Sequence, residues 1–234
     1  MRRKMGKPVS IIITAVDMMR MTKECIGLVL KHTPPIFELI LVIDKPNQEM
    51  KKWLSQLEKD KVKVITNPNL VGAPTARNMG IKAARGEYIC FVDSDITVTE
   101  GWLEPLMNAL NAHPEYGWVA SKIIRGDVVM NWGVVSSTLF PKNAIDKVGL
   151  FDERFSQGIG FEDNDYLLRF WLAGYKPHGI HKSTVYHPPH PTTLKAVHGD
   201  TMPEKYELNQ RLFIEKWGTE VMNIDWVTIP YEGG

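Results

Sequence analysis

An α/β architecture is expected of this chain, because short β-branched runs alternate with helical stretches through its first half. Polar residues stand where those runs stop. Such alternation argues a mostly parallel sheet with helices on both faces. Val9-Ser10-Ile11-Ile12-Ile13-Thr14 is an apolar run of the kind buried in a parallel sheet. A helix over about Thr22 to Lys31 follows and ends before Pro34-Pro35. Phe37-Glu38-Leu39-Ile40-Leu41-Val42-Ile43 is the second strand and stops at Asp44, Lys51 to Lys59 reads as an exposed helix, and Val62-Lys63-Val64-Ile65 as a third strand. Pro74 opens the next helix, with Ala76, Met79 and Ala83 at helical spacing, and Gly86 closes it. Tyr88-Ile89-Cys90-Phe91-Val92 is the strongest strand signal. Ligands of such sheets bind at the carboxyl ends of strands, so Thr14, Asp44 and Asp93 are expected on one rim.

Past Asp93 the rhythm loosens. Trp102 to Asn111 reads as a helix, and Trp118 to Ile124 and Val128 to Val135 as strands joined at Arg125-Gly126-Asp127. Glu162 to Ala173 is a helix with an acidic start and with Leu167, Phe170 and Trp171 on its apolar side. Three prolines keep His187-Pro188-Pro189-His190-Pro191 out of regular structure. A last helix over about Pro203 to Lys216 is expected to pack Tyr206, Leu208, Leu212 and Phe213. The economical division is one domain over residues 1–190 with a helical extension, 191–234, packed on it.

Composition narrows the function. The 234 residues are 44% hydrophobic and 24% charged, the balance of a folded globular domain. Lys plus Arg is 28 against 27 Asp plus Glu, a net charge of +1, so the basic footprint of a nucleic-acid binder is missing. The basic start Met1-Arg2-Arg3-Lys4 is followed by Gly6-Lys7-Pro8 rather than a signal peptide's apolar stretch. No apolar run approaches the ~20 residues that span a bilayer. Cys25 and Cys90 make neither a disulfide framework nor, alone, a zinc site. These features point to a soluble, reduced, cytoplasmic protein with at most peripheral membrane association.

Asp93-Ser94-Asp95 directly follows the strongest strand. Two carboxylates one residue apart on a loop suit a hard divalent cation that also holds phosphate oxygens; the plain alternative is a solvated turn. The segment ahead of it is Gly72-Ala73-Pro74-Thr75-Ala76-Arg77-Asn78-Met79-Gly80, then Ala83-Ala84-Arg85-Gly86-Glu87-Tyr88-Ile89. A second block reads Gly149-Leu150-Phe151-Asp152-Glu153-Arg154-Phe155, then Gly158-Ile159-Gly160-Phe161-Glu162-Asp163-Asn164-Asp165. Together these resemble the signature of family 2 glycosyltransferases, inverting enzymes of the GT-A fold, over about Val9 to His187. The Gly158-to-Asp165 stretch is also similar to the corresponding loop of animal galactosyltransferases.

The resemblance implies a GT-A, Rossmann-like sheet flanked by helices, with a small antiparallel element near the active site. It implies transfer of a sugar from a nucleotide-diphosphate sugar to an acceptor hydroxyl. The acceptor class stays open among glycans, lipid-linked and small-molecule acceptors. A divalent cation neutralises the leaving diphosphate, so no general acid is needed, and one base remains to take the acceptor proton. Asp163 matches the family's base position. Its neighbours Glu162 and Asp165 and the helix N-terminus act on it in opposite senses. Asp93 and Asp95 match the metal ligands for Mn²⁺ or Mg²⁺, and His187, with His190 as fallback, matches a third; a zinc site among His178, His181, His187 and His190 would lack cysteines. Donor contacts fall to Thr14, Asp44, Arg77, Asp93 and Glu162. Arg77 suits a diphosphate, the alternative being a place on the helix surface. Trp132 with Gly133 would face the acceptor or be buried. The pattern departs from the family at Asp44-Lys45-Pro46-Asn47, which leaves the nucleotide base open. The loops Gly126 to Trp132 and Ser156 to Phe161 are candidates to close over the donor. The competing classes are a non-catalytic sugar-nucleotide or glycan binder and a retaining GT-A transferase.

Overall fold

A computed structural model describes residues 9–16, 18–34, 37–57, 62–130, 135–188, 198–223 and 231–232; Trp132, Gly133 and His190 lie outside them. The predicted alternation is present as β1 (Val9–Ala15), α1 (Met19–His32), β2 (Phe37–Asp44), α2 (Gln48–Leu54), β3 (Val62–Asn67), α3 (Ala73–Ala83) and β4 (Tyr88–Asp93). The second half runs β5 (Thr97–Val98), α4 (Leu103–Ala112), β6 (Tyr116–Arg125), β7 (Val128–Met130), β8 (Thr138–Pro141) and α5 (Lys142–Val148). A 3-10 turn (Glu153–Gln157) then leads to α6 (Glu162–Leu172), β9 (Lys176–His187), α7 (Met202–Trp217) and β10 (Tyr231–Glu232).

The strands form one mixed sheet in the order β10-β9-β6-β8-β4-β1-β2-β3, with β5 added on β9 and β7 on β6. The β3-β2-β1-β4 half is parallel, β8 runs antiparallel between β4 and β6, and β9 lies parallel to β6. Side chains alternate across the pleat. Val9, Ile11 and Ile13 therefore join a core with Cys25, Ile26 and Val29 of α1, while Ile12 faces the opposite core with Ala76 and Ile81 of α3. Gly80 permits this second contact, since a Cβ there would stand 2.5 Å from Cγ2 of Ile12.

Several elements differ from their sequence expectations. Helix α2 starts at Gln48 because Asn47 caps it, accepting from the Met50 N–H at 2.8 Å. Strand β9 runs over twelve residues, Lys176–His187, and β8 and α5 carry no clear periodic signal in the sequence. Trp171 is 45% exposed although Leu167 and Phe170 are buried, so the apolar face of α6 is centred on Tyr166 and Phe170. On α7, Phe213 is buried and Leu212 packs against the core as expected, whereas Tyr206 and Leu208 are exposed and Asn209 is the other buried residue.

Candidate active site

Register brings the expected rim together. Thr14 of β1 is paired with Asp93 of β4 and with Val42 of β2, two residues before Asp44. These three residues line one cleft of about 870 Å³, which also takes in Arg77, Glu162 and Asp163.

The acidic corner is built by the strand that precedes it and by a distant one. After β4 the chain turns with Ile96 N–H donating to the Asp93 carbonyl at 3.1 Å, and Ser94 is buried at the bend. Antiparallel pairing of Thr97 with Tyr186 then sets His187 beside the same turn. One ligand atom each from Asp93, Asp95 and His187 lie within 4.8 Å of one another. His187 Nε2 is 3.7 Å from Asp95 Oδ1, and its Nδ1 is 2.9 Å from the Pro188 carbonyl. Donation by Nδ1–H to that carbonyl leaves Nε2 as the lone-pair nitrogen. Two carboxylates and an imidazole make a donor set that fits a divalent cation. Among the described residues the group that could hold a metal includes His187 but not His178, which stacks on Tyr116 with ring centroids 4.4 Å apart.

Arg77 is buried rather than at the helix surface, and it links this corner to the start of α6. Its Nη1 donates to Asp163 Oδ1 at 2.5 Å, its Nη2 to Asp93 Oδ1 at 3.4 Å, and Glu162 Oε1 lies 4.0 Å away. Burial disfavours the charged guanidinium, but Asp163, Asp93 and Glu162 outweigh it and raise its pKa. The other oxygen of Asp163 accepts from Val135 N–H at 3.0 Å. Glu162 is pushed up to about 7, first by burial and then by the Asp163 charge, against the pull of Arg77. Phe161 precedes the pair with left-handed backbone, φ 66°, an uncommon conformation for a residue carrying a Cβ.

The two sequence blocks meet physically through the next residue. Asn78 donates to the Phe151 carbonyl at 3.0 Å and to Glu153 at 2.9 Å, and accepts from Phe151 N–H at 2.9 Å. Gly72 has φ 85°, and a Cβ there would collide with the Ser156 carbonyl, so the close approach requires glycine. Asp44 has a scaffold role that the sequence did not reveal. Its oxygens accept from Asn67 Nδ2 at 2.7 Å and from the Val71 and Gly72 N–H groups at 2.9 and 3.3 Å, fixing the loop ahead of α3.

Asp165 turns away from the cleft. It is fully buried against Arg169 at 3.1 Å, Lys216 at 2.7 Å and Trp217 Nε1 at 2.8 Å. The stretch before α6 is pinned to α7, where Asn209 donates to the Phe155 and Gly160 carbonyls at 3.0 and 2.7 Å. Arg125, Ser156, His198, Lys205 and Tyr206 also line the cleft and were not singled out as site residues from sequence. Arg125 follows from strand pairing alone, because β6 sets it opposite His187.

The profile of the family described as "Glycosyl transferase family 2" matches residues 10–171. The chain therefore belongs to glycosyl transferase family 2, a family of enzymes. It is 29% identical over 203 residues to "Glycosyltransferase GlyG" of Streptococcus pneumoniae serotype 4, covering 74% of this chain and 67% of that protein. It is 30% identical over 142 residues to an uncharacterized glycosyltransferase of Rickettsia bellii, covering 57% of this chain but 20% of that protein. Among solved structures, GalNAc-T7 with UDP, GalNAc and Mn²⁺ superposes with a TM-score of 0.71 at 17% identity, over 94% of this chain and 50% of that one. TarS of S. aureus gives 0.66 at 15% identity, over 91% and 44%. These structural matches establish the shared GT-A type α/β fold. The chain spans half or less of both structural relatives and a fifth of the Rickettsia protein.

Proposed function

We propose that the protein transfers a sugar from a nucleoside-diphosphate sugar to an acceptor hydroxyl, inverting the anomeric centre, with Asp163 as general base. The observation that supports this most directly is the shared guanidinium. Arg77 touches both Asp163 and Asp93, so the expected base and the expected metal corner belong to one cleft.

Asp93, Asp95 and His187 would hold Mn²⁺ or Mg²⁺, which when bound neutralises charge on the leaving diphosphate. Thr14, Asp44 and Asp93 follow the strand ends where the nucleotide would lie. Arg77 fixes one oxygen of Asp163 and the Val135 N–H the other, so the carboxylate is oriented to accept a proton from the acceptor hydroxyl. Glu162, with its pKa near neutrality, would exchange a hydrogen bond with the donor sugar as a neutral acid or as an anion. Residues 1–190 would be the catalytic unit and the following helix its wall. Among the described residues no helix is long and apolar enough to cross a membrane; we place the protein in the cytoplasm.

Proton NMR of the product tests the stereochemistry. An α-linked donor should give a β-linked product that builds up only with divalent metal present, and an α-product would establish retention instead. Absence of turnover with every nucleotide sugar and hydroxyl acceptor tried would favour the non-catalytic binder.

A further inference from the structure

Part of the cleft wall is made by the start of α7. We propose that Lys205, His198 and Tyr206 form the acceptor subsite and that it takes a sugar or polyol acceptor carrying an anionic group, a phosphate or a carboxylate. The assignment rests on the glycosyl-transfer reading and adds the chemistry of the second substrate.

Lys205 carries the argument. It is half-buried in the cleft wall, and its Nζ lies 3.2 Å from His198 Nδ1. Among the described residues it makes no ion pair with a carboxylate. The other half-buried or buried cations around α6 include Arg77, matched by Asp163, Arg169, matched by Asp165, and Lys216, matched by Asp152 and Asp165. An ammonium has three donors, and one is used here. Burial, then the Lys205 charge, lowers the His198 pKa, so the imidazole is neutral and its Nδ1 accepts from the lysine. Nε2–H is then a second donor beside the charge. A partly desolvated cation with spare donors in a ligand cleft is matched by an anion.

Position decides which substrate that anion belongs to. The Lys205 carbonyl accepts from Ile159 N–H at 3.1 Å, and Asn209, one helical turn on, holds Gly160. This wall therefore lies directly across the short stretch that leads into Glu162 and Asp163. The metal corner is built on other elements, β4 and β9, where Arg125 lies against His187 at 3.3 Å. Tyr206 is 49% exposed, packs against the Phe161 ring at 5.1 Å, and lines the cleft beside Lys205. An aromatic face next to a cation is the pairing that a charged sugar ring requires.

The test uses the full chain with Mn²⁺ and whichever nucleoside diphosphate raises its Tm most. Glucose 6-phosphate, glucuronate and methyl glucoside are titrated by ligand-observed NMR, with the nucleotide and without it. At least one charged sugar should bind about tenfold tighter than methyl glucoside, with added salt eroding the difference. Lys205→Gln should abolish the preference, Lys205→Arg should keep it, and Tyr206→Ala should weaken charged and neutral sugars alike. Equal affinity for all three sugars, or a preference that survives Lys205→Gln, overturns the proposal. A Tm that no nucleoside diphosphate moves would instead refute the donor reading, while the nucleotide-free titration still reports on Lys205.

Discussion

Asp163 and Asp165 stand two positions apart at the start of α6, yet they occupy different environments. Two helical residues are separated by about 200° around the axis, so one carboxylate faces the cleft and Arg77 while the other faces α7. Asp163 keeps one side toward the cleft and is held by a guanidinium and a backbone N–H. Asp165 has no exposure and is enclosed by Arg169, Lys216 and Trp217. The same acidic residue type faces the cleft in one place and attaches α7 in the other. Which cation each carboxylate meets, and whether the cleft reaches it, separates the two.

Substitutions should divide along this line. Asp163→Asn has the largest expected effect on turnover, a fall in kcat on the order of 10²–10⁴-fold, with a smaller loss of Tm than the same change at Asp165. Steady-state kinetics at saturating metal and donor checks this, and an unchanged kcat would remove Asp163 as base. Asp165→Asn should act the opposite way. Breaking a buried, doubly paired carboxylate costs about 3–5 kcal/mol, read as a lower denaturant midpoint, while kcat per folded molecule is retained. Loss of activity at full stability would place Asp165 in the chemistry after all.

Asp95→Ala should weaken metal-dependent nucleotide binding by about a hundredfold, measured calorimetrically with and without Mn²⁺. Normal metal-dependent affinity in that variant would move the cation elsewhere. The smallest effect is a pH dependence. Glu162 has a folded pKa of about 7 against 4.5 for the free side chain, so between those values the native state binds more protons than the unfolded one. Stability then falls as pH rises through that window. Glu162→Gln should flatten this slope in urea melts at pH 5 and pH 8. Asp152 contributes the reverse slope, since Arg154 first, and then Lys216, hold its carboxyl well below the usual range and its stabilisation is lost only in strong acid.

The parallel half of the sheet was legible because local patterning determines it: continuous apolar runs, a proline at a helix start, acids at strand ends. Asp93-Ser94-Asp95 was readable for the same reason, since it follows the strand that positions it. The meeting of Asp95 with His187 depends on β5 pairing with β9 across about ninety residues, and spacing alone carries no trace of that. Residue types did not distinguish Asp163 from Asp165 either, because their partners Arg77, Lys216 and Trp217 lie in remote helices. Strand β8 was missed because four residues inserted antiparallel between two strands leave no periodicity to read.

The grip of Asn209 on the Phe155 and Gly160 carbonyls has a consequence for biosynthesis. Those carbonyls are made some fifty residues earlier than the amide that satisfies them. A polypeptide still being translated therefore carries every acidic residue of the cleft before it can close the wall beside them. Closure of that wall should arrive late and abruptly, once α7 has left the ribosome and docks.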